Sequence, residues 1–429
     1  MITLLPMLLL VIFLMVGIPI AFALAGAGFL GVWIVTGNIG GAFAVLVTAP
    51  FSTVGQFALS TIPMFILMAY FSSLGGLAND LYDAAAKWLS NVRGGLAIAT
   101  VFACGIFGAM SGASVAAASV MAKIAMPNMR RFGYSESLAA GAICVGSTLD
   151  VLIPPSIAMV IYGIITGTSI SKLLIAGVMP GLVLGIILSV VILVWVKLRP
   201  HHAPKTYQVS WRDRCKSLSH VWPGLLLILL VLGFLYMGIA TPTEVGAIGA
   251  ALSALIGVAM RRLSREGVSE SLRSTIRTST MIFMILLGGT IFGYYMAMSQ
   301  IPQQIVRLIT ELNLNRWVVV VAIMAGYFLI SMFMDEVPLM LITVQLTFPL
   351  VTALQFDPIW YGVIMVLLGA MGLVFPPVGM IVFVVCSTAK VDLVSAYKGT
   401  SIMIIALILT ALLLMLFPGI ATWLPTRMH

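Results

Sequence analysis

Leu152-Ile153-Pro154-Pro155-Ser156 and Val374-Phe375-Pro376-Pro377-Val378 decide the reading of this chain. Both lie inside long apolar stretches. Proline has no backbone N–H and its ring clashes with the preceding turn, so each pair predicts a break in a helix. In lipid, a broken helix leaves carbonyls that water cannot reach. That is tolerated only where the break is buried in protein or lines a polar cavity. Two such breaks at matching places in two halves are the pattern of a membrane transporter's binding region.

The composition agrees with a membrane setting. The 429 residues are 61% hydrophobic and 8% charged, against roughly 25% charged in a soluble domain. Apolar runs of about 18 or more residues, enough to cross a bilayer, recur from end to end. The chain reads as an all-α polytopic membrane protein surrounded by lipid. The segment after Met1 lacks a basic start and a cleavage site, and is expected to be a retained helix. The net charge of +9 is explained by basic cytoplasmic loops and does not call for nucleic acid. Cys104, Cys144, Cys215 and Cys386 are scattered, with no metal or redox spacing. His201, His202, His220 and His429 sit in polar segments or at the terminus, so no haem, zinc or organic cofactor site is expected within the spans.

Candidate spans are 1–17, 20–36, 57–77, 137–168, 174–197, 221–239, 243–260, 279–298, 358–388 and 401–424. The stretches 95–128 and 318–352 are apolar but interrupted near the middle, and each reads as a re-entrant hairpin. Basic loops at 197–216 and 261–277 are expected in the cytoplasm, with Lys123, Arg130 and Arg131 on the same side. Residues 36–56 carry no charge and are expected outside. Trp222, Trp360 and Trp423 near span ends fit an interfacial belt.

Shifting 110–177 by 222 overlays it on 332–399 without a gap. Pro127 meets Pro349, and Pro154 and Pro155 meet Pro376 and Pro377. The basic residues near 123–131 have uncharged counterparts at 345–353, and the basic 261–277 corresponds to the uncharged 39–55. Equivalent positions therefore face opposite sides, and the repeats are inverted. Inverted repeats with discontinuous helices are a recurrent build of secondary transporters.

Four motifs can carry chemistry. The first hairpin turns through Gly108-Ala109-Met110-Ser111-Gly112-Ala113-Ser114, whose small residues permit close backbone approach and whose hydroxyls can coordinate a cation. The first broken helix holds Gly146-Ser147-Thr148-Leu149-Asp150. A carboxylate in mid-helix costs roughly 2.5–3.5 kcal/mol on insertion scales, so Asp150 should face a cavity or a cation. The second hairpin turns through Met334-Asp335-Glu336-Val337-Pro338, where a carboxylate can bind Na⁺ or a proton, or cap the returning helix. Gly369, Gly372 and Gly379 surround the second Pro-Pro pair. Thr241-Pro242-Thr243-Glu244 reads as a structural helix start.

Together these residues resemble the large membrane subunit of the tripartite ATP-independent periplasmic (TRAP) transporters over essentially the whole chain. The carrying motifs are Gly108 to Ser114, Leu152 to Ser156 with Ile161-Tyr162-Gly163, Thr166 to Ser169, Gly238 to Glu244, Phe333-Met334-Asp335, and Gly372 to Gly379. The resemblance implies a bacterial inner-membrane, Na⁺-driven importer of an organic acid, of the elevator, ion-transporter-like type. It implies two partners, a small four-helix membrane subunit and a periplasmic substrate-binding protein. It places Na⁺ at Ser111, Gly146, Ser147, Thr148, Pro154, Asp335, Gly369, Gly372 and Pro376. It places substrate at Ser111, Gly112, Ser114, Asp150, Ser156, Glu336 and Gly379. The chain departs from the family at Asp150, where a small residue is common, at Glu336, where Pro or another residue is common, and near Leu367 and Leu368, where a polar residue is common. C4-dicarboxylates, sialic acid, other keto or hydroxy acids and zwitterions all stay open as substrates.

The implied division is scaffold at 1–93 and 221–317, transport parts at 94–170 and 318–390, a connecting helix and basic loop at 171–220, and a C-terminal helix at 391–429. A membrane-embedded hydrolase or transferase is the alternative. It would need a catalytic constellation, and the sequence has no HExxH, no Walker A loop and no histidine within a span. A passive channel would not need a repeat with two helix breaks.

Overall fold

The computed structural model describes residues 2–111, 114–204, 209–312 and 314–428. Their regular structure is helical throughout. In the first half, α1 (Leu5–Met15), α2 (Ile20–Thr36), α3 (Ile39–Val54), α4 (Thr61–Leu74) and α5 (Leu77–Trp88) precede a helical pair, α6 (Gly95–Ser111) and α7 (Ser114–Arg131). Then come α8 (Glu136–Ser147), α9 (Ile157–Thr166), α10 (Ile170–Ala176) and α11 (Val178–Leu198). The second half runs through α12 (Trp211–Tyr236), α13 (Pro242–Ala259), α14 (Arg265–Ser299), α15 (Ile301–Glu311), α16 (Arg316–Ser331) and α17 (Glu336–Ala353). It ends with α18 (Pro358–Gly372), α19 (Met380–Ala389), α20 (Leu393–Leu416) and the short α21 (Gly419–Thr422). Among the described residues, seven helices are long and apolar enough to cross a membrane.

Both predicted breaks are present. A 3-10 turn at Thr148–Val151 and an irregular link separate α8 from α9, and residues 373–379 separate α18 from α19. Both Pro-Pro peptides are cis. The 222-residue shift carries α7 onto α17 residue for residue, each with a proline inside. It also carries the start of α8 onto the start of α18.

The packing follows the same exchange. Helix α2 lies along α14, and its equivalent α13 lies along α4. Helix α19 packs on α7, and α9 packs on α17. Each hairpin thus rests on the first half of its own repeat's broken helix and the second half of the other's. Small residues make the closest crossings possible, as is usual in membranes. A Cβ at Gly28 would sit 2.6 Å from the Phe292 backbone nitrogen in α14.

Three local readings change. Residues 39–54, expected as an outer loop, form α3, with Asn38 accepting from the N–H groups of Gly40 and Gly41. Its 16 residues are short for a span and include Pro50, but the cap starts the helix and packing on α2 and α14 holds it. The basic segment 261–277 is mostly the first turns of the 35-residue α14, because Ser264 caps it and its arginines can reach water from a helix. Trp360 is 1% exposed and donates to the Leu414 carbonyl at 2.7 Å. It ties α18 to α20 instead of facing lipid, whereas Trp222 and Trp423 are exposed. Thr241 and Glu244 form the expected reciprocal cap of α13.

Candidate functional site

In the first hairpin, Ser111 ends α6 and Ser114 begins α7. The Ser111 side chain and Gly112 lie outside the described residues. Ser114 Oγ donates to Asp150 Oδ1 at 2.6 Å. Asp150 is 1% exposed, and its Oδ2 has no partner. A side chain at Gly108 would collide with Asp150, so glycine there lets α6 lie directly on the 3-10 turn.

The second hairpin inverts this chemistry. Asp335 stands at the N-cap of α17, but its side chain makes no capping bond, and it is exposed toward a cavity. Glu336, the first residue of α17, is 6% exposed, with Oε2 unpartnered. A Cβ at Gly369 would lie 3.1 Å from both the Glu336 Cβ and the Tyr327 hydroxyl. The bare glycine is what lets Glu336 fit against α18. The 222-residue shift places Glu336 on Ser114, and Gly372 on Asp150. One repeat therefore keeps its hydroxyl on the hairpin and its acid on the broken helix. The other keeps its acid on the hairpin and a glycine on the broken helix.

The two tips meet at one cavity of about 340 Å³. Ser114 comes from the first hairpin, Asp335 and Glu336 from the second. Ile20 of α2 and Thr278, Met281 and Ile285 of α14 form the facing wall. Among the described residues, the lining contains no lysine, arginine or histidine. Farther along α17, a cavity of about 350 Å³ is bordered by Gln56, Thr290 and Gln345. Gln345 Nε2 donates to the Gly289 carbonyl at 2.6 Å and so joins α17 to α14.

The other candidates sit at the breaks. Ser147 Oγ donates to the Cys144 carbonyl at 2.8 Å, and Thr148 Oγ1 to the Val145 carbonyl at 2.7 Å. Each hydroxyl keeps lone pairs for a cation. Gly146 permits close approach of α6, since a Cβ would lie 3.0 Å from the Val101 Cα. Gly372 does the same for α16 at Ser331. Pro154 and Pro376 occupy the cis peptides. Ser156 Oγ accepts from the Met159 N–H and caps α9. Gly379 has φ of +55° and starts α19 from the left-handed region. Ser156 and Gly379 do not line the tip cavity.

The structure thus gathers Ser114, Asp335 and Glu336, with Asp150 bonded behind Ser114. Sequence reasoning missed Thr278, Gln345 and Tyr327. Tyr327 and Ser331 lie four residues apart on one face of an apolar helix, a spacing that marks a polar stripe.

Solved structures and relatives place this geometry. The Alcanivorax borkumensis YdaH transporter superposes with a TM-score of 0.65 at 13% identity, covering 89% of this chain and 90% of that one. That likeness concerns the fold. The Pseudomonas aeruginosa C4-dicarboxylate TRAP transporter large permease protein DctM is 35% identical over 399 residues, 90% of this chain and 93% of its own. The Halomonas elongata ectoine TRAP transporter large permease protein TeaC is 32% identical over 413 residues, 96% of each chain. The family model for the DctM component of the tripartite ATP-independent periplasmic transporters matches residues 7–420. With its helix breaks, its paired hairpins and these relatives, the chain belongs to that family: it is a multi-pass inner-membrane transporter subunit and not an enzyme.

Proposed function

We propose that this chain is the permease through which a small organic acid, handed over by a periplasmic binding protein, enters the cell against its gradient at the expense of Na⁺. The carrying observation is the single cavity on which both hairpin tips converge, walled on its far side by α2 and α14. Residues 94–170 and 318–390 move as one transport part against the scaffold of 1–93 and 221–317, an elevator motion. The small membrane subunit packs on the scaffold.

The donor set suits Na⁺. Hard oxygen ligands are what such an ion takes. The breaks supply the Ser147 and Thr148 hydroxyls and the orphaned oxygen of Asp150. The second tip supplies Asp335 beside Glu336. Backbone oxygens at Gly146, Pro154, Gly369, Gly372 and Pro376 complete the proposed ligands, with Ser111 at the first tip. Each Na⁺ crossing a 100 mV potential releases about 2.3 kcal/mol before its own gradient is counted. Two ions therefore support more than about a thousand-fold accumulation of a neutral solute.

The test is uptake by proteoliposomes holding this chain, its small subunit and its binding protein. Ser111→Ala and Asp335→Asn should each raise the Na⁺ concentration for half-maximal uptake by about tenfold. Unchanged Na⁺ dependence in both variants would sink the ion assignments. Robust uptake without the binding protein would contradict the delivery step.

A further inference from the structure

Arg214, at the start of α12, carries a charge that the fold leaves without an anion. It is 6% exposed. Among the described residues its guanidinium makes one hydrogen bond, from Nη2 to Ser90 Oγ at 3.1 Å, and its Nε is sealed from solvent with no partner. The acids of this region are committed elsewhere. Asp80 pairs with Arg262, and Asp83 with Lys87. Asp213 is exposed and lines a neighbouring cleft with Lys216 and His220. A buried charge without its counter-charge is costly, so an anion from outside the chain is the missing half. Two exposed indoles frame the spot. The Arg214 guanidinium lies 5.1 Å from the centre of the Trp211 ring, and Trp88 Nε1 donates to the Arg214 carbonyl at 3.3 Å. The two indoles meet edge to face at 6.4 Å.

The depth of Arg214 selects the anion. A hydrocarbon core takes about 20 residues of helix at about 1.5 Å each. Counted back from Tyr236, the end of α12, that length is used up near Ser217. Arg214 then falls about 4–5 Å beyond the core, in the headgroup layer. On the hydrocarbon side of it, Leu218, Trp222, Leu225 and Leu229 are exposed and continue the three- and four-residue spacing from Trp211 and Arg214. An acyl chain has that stripe to lie on. The exposed Arg93, Arg212 and Lys216 add positive charge close by in the chain. We propose that Arg214 anchors the phosphate of an anionic phospholipid, framed by Trp88 and Trp211. The planar guanidinium fork suits two phosphate oxygens at once. The lipid closes on Ser90, in the turn between α5 and α6, where the proposed scaffold passes into the proposed transport part.

The experiment uses the permease with its small subunit, purified in a neutral detergent. Native mass spectrometry counts bound lipid while phosphatidylglycerol, phosphatidylcholine or inorganic phosphate is titrated in. Phosphatidylglycerol should bind at least about tenfold more tightly than either of the others. Arg214→Gln should weaken it by about tenfold or more, and Lys216→Gln, which removes one exposed charge, should stay within about threefold of the parent. Arg214→Lys, which keeps the charge and loses the fork, should fall between them. The count reads bound lipid directly, so a variant with a lowered thermal midpoint is still measured. Equal phosphatidylglycerol binding by the parent and Arg214→Gln overturns the proposal. Inorganic phosphate that binds as well as the lipid makes this a site for a free anion and overturns the membrane assignment. A parent that binds no phosphatidylglycerol, with an Arg214→Gln variant that loses the small subunit, gives the missing anion to that subunit and overturns it too.

Discussion

Ser114 holds Asp150 by one donated bond, in a place where neither oxygen of the acid reaches water. Removing the donor takes away the one side-chain hydrogen bond shown to the buried carboxyl, a cost of about 1–3 kcal/mol. Ser114→Ala should therefore lower the thermal midpoint of the purified complex when Na⁺ is absent. Saturating Na⁺ should recover part of the loss, since an ion can take over the orphaned oxygen. A midpoint equal to the parent's in both conditions would show that the bond carries no stability. Each partner was visible in the sequence as a polar residue in an apolar setting. Their pairing was not, because they are 36 residues apart and meet only when α6 closes on the 3-10 turn. Glu336 was expected either to cap its helix or to bind an ion or substrate. Burial against Gly369 and Tyr327 takes it out of the solvated range of a capping acid.

Elements are tied together by a few polar clamps. One is the short turn Pro200–His202, which docks on the start of α8. The Ser135 hydroxyl, the cap of α8, shares a 2.6 Å hydrogen bond with His202 Nδ1, and the Ser135 N–H donates to the His202 carbonyl at 3.0 Å. Partial burial, then the nearby His201 and Arg199, hold the His202 imidazole below its ordinary 6.5. A lowered value means that the undocked loop takes up the proton more readily. The clamp is therefore at full strength above the ordinary value and weakens as pH falls toward the depressed one. Hydrogen exchange of residues 136–140, corrected for intrinsic rates, should rise below about pH 6. His202→Asn should remove that pH dependence, and an unchanged profile would discard the clamp. Helix starts such as Thr241 to Glu244 were legible beforehand because a cap is a local arrangement of four residues. Helix α3 was not, because its 16 residues are short for a span, Pro50 lies inside it and its packing comes from α2 and α14.

At the scale of the whole molecule the two repeats are interlocked, since α19 packs on α7 and α9 on α17 while α2 pairs with α14 and α13 with α4. Each half therefore buries part of its helices on the other. Fragments 1–220 and 221–429 expressed separately should be degraded or aggregate, and their co-expression should restore a complex that elutes as one species. A stable, monodisperse single half would refute the interlock. By itself the sequence determined the membrane setting, the two breaks and the 222-residue relation. These follow from backbone chemistry and apolar run length, which are local properties. Only the tertiary structure decided that each hairpin grips the other repeat's half-helix, and that Ser114, Asp335 and Glu336 share one cavity. The physical reason is that burial and electrostatic sign at a site depend on which distant surfaces meet, and no run of residues records that.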